Sequence, residues 1–294
     1  MLKTRLWMGS LLSVLVIGVL LFDPGPWYPF LLLLTVFLAA AGSVELHQLI
    51  GSAHGLSPWL GGGAVLLVLL ANWPAHLWPG WFGSDPWFLV LAAFAAMVLL
   101  GFLVEMALFR PAAQIAESSA TSSGSIVIRL ALLVWMTAYL GLLPSFLVQL
   151  RWLDATATTP RDARGALALA IFVAKCCDIG AYFTGRLLGR HPMSPVLSPK
   201  KTWEGLMGGL LLSAAAAVAI NRPLSVVRGG DLWAVAFGLV VGGVGALGDL
   251  AESLIKRDCR RKDASQVVPG FGGVLDVVDS ILFAAPVAYC WLRW

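Results

Sequence analysis

Apolar runs of membrane length recur along the whole chain, separated by short stretches where Gly, Pro, Trp and charged residues gather. A hydrocarbon core about 30 Å thick needs about 20 apolar residues of helix per crossing. The pattern predicts nine such spans, near residues 5–22, 28–50, 59–79, 86–109, 125–147, 163–186, 203–221, 231–256 and 273–292. Pro74 and Pro144 interrupt the third and fifth, and mark kinks or early ends there. Lys3 and Arg5 precede the first span as in a signal peptide, but LLFDPGPW follows without a small-residue cleavage site, so an uncleaved helix is expected.

Composition agrees with the pattern. Of 294 residues 59% are hydrophobic and 12% charged, against about 25% charged in a soluble domain. The expected fold class is an all-α, polytopic integral membrane protein. The net charge of +4 is modest, basic residues cluster in two loops and are not spread over the surface, and no nucleic-acid partner is expected. With the N-terminus inside, alternate loops hold twelve Lys and Arg on the inner side and six on the outer, which places the loops at 187–202 and 257–272 in the cytoplasm. Cys176, Cys177, Cys259 and Cys290 have no CxxC spacing and read as reduced, small apolar fillers.

Two regions differ in character. Residues 1–125 read as scaffold: spans of Leu, Ala and Val, ending in the Ser-rich linker 116–125. Trp73, Trp78, Trp81 and Trp87 read as an interfacial belt, and Glu45 and His47 as residues near a helix end at the interface. Residues 126–294 concentrate the polar groups. Lys175 and Asp178 are three apart in the sixth span; Asp249, Glu252, Ser253 and Lys256 form a stripe on the eighth; Asp276 and Asp279 share a face of the last. A charge at membrane depth costs about 3 kcal/mol or more, so these groups are expected to converge on one wetted site.

An internal ion-pair network, Lys175 with Asp178, Lys256 with Glu252 and the two aspartates with Arg257 or its neighbours, accounts for any single pair. It does not account for the set, because five acids, Asp178, Asp249, Glu252, Asp276 and Asp279, exceed the buried bases. A divalent cation completes the balance, and paired carboxylates suit Mg²⁺. SPKKTWEG at 198–205 places Lys200 and Lys201 just before a helix capped by Thr202, an arrangement suited to phosphate. GFGG at 270–273 lets backbone approach a ligand, and KRDCRRKD at 256–263 adds cations. Together these point to a metal-bound polyphosphate.

SLIKRDCRRKDASQVVPGFGGVLDVVD, Ser253 to Asp279, resembles the signature of the phosphatidate cytidylyltransferase (CDP-diacylglycerol synthase) family. DIGAYFTGRLLGR from Asp178 and SPKKTWEGLMGG from Ser198 are similar to two further blocks of that family, so the resemblance covers roughly residues 175–290. Phe271 and Val277 depart from it, standing where the family commonly has histidine and arginine. The resemblance implies transfer of the cytidylyl group of CTP to phosphatidate, giving CDP-diacylglycerol and pyrophosphate for phospholipid synthesis. It also implies a homodimer in the inner (plasma) membrane, with the site facing the cytoplasm. On that footing Asp249, Asp276 and Asp279 are expected to bind Mg²⁺, and Lys200, Lys201 and Lys256 to contact phosphates. Arg257 is expected at the lipid headgroup; Ser198, Thr202 and Ser253 add hydroxyls; Gly272 and Gly273 permit close backbone approach. Asp178 and Glu204 tether basic groups or bind metal, and Arg260 or Arg261 substitutes for the arginine missing at Val277.

Two other readings compete. A secondary transporter of an organic anion also needs a charged cavity, but it predicts an internal repeat, whereas the polar residues here are confined to one half. A CTP-dependent transferase acting on another lipid phosphate shares every feature above.

Overall fold

The computed structural model describes residues 2–83, 85–109, 125–153, 163–270 and 272–293, with side chains from residue 7 onward. Most of the linker at 116–125, and Phe271, lie outside the described residues. The helices are α1 (Leu2–Phe22), α2 (Pro29–Leu46), α3 (Pro58–Leu70), α4 (Pro74–Leu77), α5 (Pro79–Phe82), α6 (Pro86–Leu108), α7 (Ile126–Thr137), α8 (Leu143–Gln149), α9 (Ala163–Leu188), α10 (Trp203–Leu224), α11 (Asp231–Asp258) and α12 (Leu275–Arg293). A two-stranded antiparallel hairpin, β1 (Pro192–Ser194) and β2 (Ser198–Thr202), lies between α9 and α10. The sequence pattern did not announce it, because its strands are short and polar.

Helix starts follow from local chemistry. Proline opens each of α2 to α6, at the position where a missing N–H costs nothing. Asp23 accepts from the N–H groups of Phe30 and Leu31, both at 2.9 Å, and Asp85 from that of Trp87 at 3.0 Å. Pro74 ends the third span's long helix at Leu70 and restarts it as α4. Pro144 is passed differently: a π turn over Ala138–Leu142 precedes it, so α7 runs on into α8 through a widened turn.

Among the described residues eight segments are long and apolar enough to cross a membrane: Pro29–His54, Pro58–Leu77, Pro86–Leu108, Ile126–Trp152, Ala163–Leu188, Trp203–Leu224, Asp231–Asp258 and Leu275–Arg293. The first predicted span, 5–22, corresponds to α1, whose apolar stretch, Trp7–Phe22, is shorter. The protein is therefore an all-α, multi-pass membrane protein.

The chain packs as two compact units, one of Met1–Leu31 with Phe146–Trp294, the other of Leu32–Ser145. In the second unit α3 packs on α6 and α7, Asn72 donates to Ser145 Oγ at 2.8 Å, and Arg129 grips Glu105 through two bonds of 2.7 and 2.5 Å. Of the residues expected at the interface, Trp73 and Glu45 are buried, while Trp78 and Trp81 are exposed.

In the first unit α9 packs against α10, α11 and α12, and α11 also packs against α10 and α12. Glycine sets the spacing. A Cβ at Gly180 of α9 would lie 2.8 Å from the Gly208 carbonyl oxygen and 2.9 Å from Gly209 Cα on α10, and one at Gly248 of α11 would lie 2.6 Å from the Asp279 carbonyl oxygen on α12. Backbones this close leave no room for a side chain. Gly248 thus brings α11 against α12 beside the last aspartate.

Candidate active site

The polar stripes of α9, α11 and α12 meet in the first unit, and β2 reaches them from the hairpin. Helical spacing turns Asp249, Glu252 and Lys256 to one face of α11, while α12 presents Asp276, Asp279 and Ser280. Asp249, Glu252 and Asp279 each offer a carboxylate oxygen within 4.8 Å of the others'. Glu252 is buried, and its Oε1 has no hydrogen-bond partner among the described residues. A buried, unsatisfied carboxylate oxygen is costly unless something binds it. An all-oxygen donor set of this size fits a hard cation such as Mg²⁺.

Lysines surround the acids. Lys201 Nζ lies 2.7 Å from Asp249 Oδ2. Lys256 Nζ pairs with Glu252 Oε2 at 2.6 Å and with Asp276 Oδ1. Lys175 Nζ donates to Ser280 Oγ at 2.7 Å and Asp178 Oδ2 at 3.1 Å, and stands 3.5 Å from Asp279 Oδ1. Of the ion pairs expected from the sequence, Lys175 with Asp178 and Lys256 with Glu252 form as written. The two aspartates, expected with Arg257 or its neighbours, divide: Asp276 pairs with the neighbour Lys256, and Asp279 with Lys175 of α9. Arg257 instead donates to the Leu197 carbonyl at 3.1 Å, and is exposed.

Asp276 has a different setting from the other three acids. Its Oδ2 accepts from Ala264 N at 3.1 Å and Gly273 N at 2.7 Å, while Oδ1 faces Lys256. The carboxylate therefore ties the 259–274 loop to the start of α12, and it is not part of the acid trio. Gly272 has φ +113°, and a Cβ there would lie 2.7 Å from Asp276 Oδ2, so any side chain would strain the loop and crowd its tether. Arg260, also in the left-handed region at φ 54°, turns the chain out of α11, and the Arg261 N–H closes that turn on the Lys256 carbonyl at 2.8 Å.

On the hairpin side, Thr202 Oγ1 accepts from Gly205 N at 3.1 Å, the cap expected at the start of α10. Glu204 accepts from the N–H groups of Arg190 and His191 at 3.1 and 3.2 Å and contacts His191 Nδ1 at 2.5 Å. It fastens the start of the hairpin, and no ion pair joins it to Lys175, Lys201 or Lys256 among the described residues. Lys200 is exposed, and Ser198 and Ser253 are half-buried. Sequence reasoning gave no role to Ser280 or His191. A serine after Asp279 in an apolar helix reads as packing, and a lone histidine in a loop gives no signal. Glu252 was in the stripe but not singled out as a ligand.

Fold and site together define a multi-pass membrane protein with an acid and lysine cluster suited to a cation and phosphates. The chain belongs to the cytidylyltransferase family, whose model matches residues 3–294. It is 29% identical over 295 residues to a phosphatidate cytidylyltransferase of Mycobacterium bovis, covering 98% of this chain and 87% of that protein. A phosphatidate cytidylyltransferase of Synechocystis sp. is 37% identical over 175 residues, 51% of this chain and 58% of that one. One of Brucella suis is 46% identical over 116 residues, 38% of this chain and 41% of that one.

Proposed function

We propose that the protein transfers the cytidylyl group of CTP to phosphatidate, forming CDP-diacylglycerol and pyrophosphate. The observation that carries this reading is the meeting of Lys201 with Asp249, 2.7 Å apart. It joins the SPKK strand to the carboxylate trio in a chain that matches the family over its whole length.

The lipid phosphate is a monoester whose second pKa lies near 6, so it is already largely dianionic at neutral pH and needs little help from a base. An oxygen of that phosphate bonds to the α-phosphorus of CTP as the bond from that phosphorus to the β-phosphate oxygen breaks. The obstacle is the approach of two anions, and catalysis is mainly positioning and charge stabilisation. Asp249, Glu252 and Asp279 would hold Mg²⁺; bound there, it supplies charge neutralisation for the triphosphate and the leaving pyrophosphate. Lys201, already oriented by Asp249, and the exposed Lys200 contact the triphosphate. Lys256, gripped by Glu252 and Asp276, keeps the trio and the loop in register. Asp276 holds the loop whose Arg260, Arg261 and Lys262 face solvent and meet the anionic substrates.

The catalytic region corresponds to residues 126–294 and the scaffold to 1–125. Acyl chains enter sideways from the bilayer, and the nucleotide arrives from the cytoplasm at the inner membrane, where the protein works as a homodimer. The test is purified protein with CTP, phosphatidate and Mg²⁺, scored for pyrophosphate and CDP-lipid. Exchange of an organic anion across sealed vesicles with no nucleotide consumed would sink the proposal, and product from a different lipid phosphate alone would reassign the substrate.

A further inference from the structure

Lys175 belongs to none of the blocks that carry the family resemblance as phosphate contacts, and the chemistry above gives it no task. Its setting is nevertheless specific. The ammonium donates to Ser280 Oγ at 2.7 Å and Asp178 Oδ2 at 3.1 Å, and lies 3.5 Å from Asp279 Oδ1. Ser280 completes the frame: its hydroxyl donates to Asp178 Oδ2 at 2.8 Å and its N–H to Asp279 Oδ1 at 2.6 Å. Lys175 is thus fixed against the outer edge of the acid trio, on the one member, Asp279, that α12 contributes.

The charges of the cluster point the same way. Asp178, Asp249, Glu252, Asp276 and Asp279 bring five carboxylates, and Lys175, Lys201 and Lys256 bring three ammoniums, each within ion-pair distance of at least one of them. With all eight groups charged, two negative charges remain, the amount that one divalent ion neutralises. Paired metal sites hold their ions about 3.5–4 Å apart, and beside Asp279 the positive charge is supplied by Lys175, 3.5 Å from Oδ1.

We propose that Lys175 is a built-in cation standing in for a second metal ion, so that the nucleotide-free protein binds a single divalent ion at Asp249, Glu252 and Asp279, with Lys175 as the positioning residue for Asp279. This rests on the functional reading above for the use of the ion, but not for its number. A Lys175 side chain neither dissociates nor exchanges, so the charge balance of the site depends on one external ion and not on two.

The experiment is a Mn²⁺ titration of the full-length protein in detergent without nucleotide, with free Mn²⁺ read by electron paramagnetic resonance. One bound Mn²⁺ per chain is expected for the wild type and for Lys175→Arg. Lys175→Met should gain a second, weaker Mn²⁺, and the double variant Lys175→Met with Asp178→Asn, which removes one charge of each sign, should return to one. Two Mn²⁺ per wild-type chain, or none, overturns the proposal, and that result is decisive even if Lys175→Met fails to fold. A single Mn²⁺ of unchanged affinity in a folded Lys175→Met also overturns it. CDP-lipid formation is scored on the same wild-type preparation: no product with one Mn²⁺ bound removes the transferase reading and leaves Lys175 in place, while product with two bound does the reverse.

Discussion

The ammonium of Lys201 on β2 stands 2.7 Å from Oδ2 of Asp249 on α11, two residues 48 positions apart in the chain. One is poised for phosphate and the other for a cation, so each holds the other in place before substrate arrives. Lys201→Met and Asp249→Asn are each expected to lower turnover by about 10²-fold or more, the scale of losing one fixed charge contact to a transition state. The double variant should lose less than the product of the two effects, because the partners act as a unit. Steady-state kinetics on the four proteins checks this; independent, multiplicative losses would show that the pair is not coupled.

Asp276 and Asp279 are three residues apart but are expected to fail differently. Asp279→Asn and Glu252→Gln should abolish Mn²⁺ binding with little loss of fold. Asp276→Asn should keep Mn²⁺ binding and instead destabilise the 259–274 loop by about 1–3 kcal/mol, the cost of leaving buried polar partners unmatched. Thermal melts and Mn²⁺ titration of the three variants separate the roles, and loss of the ion in Asp276→Asn would return that carboxylate to the metal.

Thr202 should behave as a helix cap. Thr202→Ala is expected to cost about 1 kcal/mol and Thr202→Ser almost nothing, since serine also offers an oxygen to the Gly205 N–H. Equal losses in the two variants on denaturation would show that the methyl group, and not the capping hydroxyl, carries the effect.

Gly180→Ala should destabilise by about 1–3 kcal/mol, because its Cβ would meet the Gly208 and Gly209 backbone at 2.8 and 2.9 Å. Gly243→Ala is the control: its Cβ would meet only Leu210 Cδ2, at 3.7 Å. Melting temperatures of the pair check the expectation that close helix approach, and not flexibility, requires these glycines.

Cys259, at the end of α11, has its thiol held above the ordinary value, chiefly by burial and then by the Asp258 charge. Its thiolate fraction should stay small at neutral pH and rise as the pH passes through the raised value, so maleimide labelling accelerates only on the alkaline side. A membrane-impermeant maleimide should reach it in inverted vesicles and not in intact cells. Labelling of Cys259 from the outside in a Cys290→Ser background, needed because Cys290 is also exposed, would reverse the proposed orientation.

The sequence alone determined the class of fold. Runs of apolar residues of membrane length allow few alternatives to helices, since every backbone group in lipid must be satisfied within its own segment. It also located the chemistry, because charges at membrane depth are too costly to scatter, and the SPKK block and the Ser253–Asp279 stretch keep a spacing that resembles one family. Helical periodicity placed Asp249, Glu252 and Lys256 on one face, and the residue types around Thr202 announced its cap.

Partner choice was decided only by the tertiary structure. Nothing in the spacing of Asp276 and Asp279 tells that one carboxylate turns to the Ala264 and Gly273 N–H groups while the other joins Asp249 and Glu252. That depends on how closely α11 approaches α12 at Gly248 and on the path of the 259–274 loop. Nor does the sequence show that Ser280 ties Lys175 to the cluster, 105 residues away. A periodic pattern reports which way a side chain faces on its own helix, but the neighbour it meets is set by the distance and register between helices, which only packing fixes.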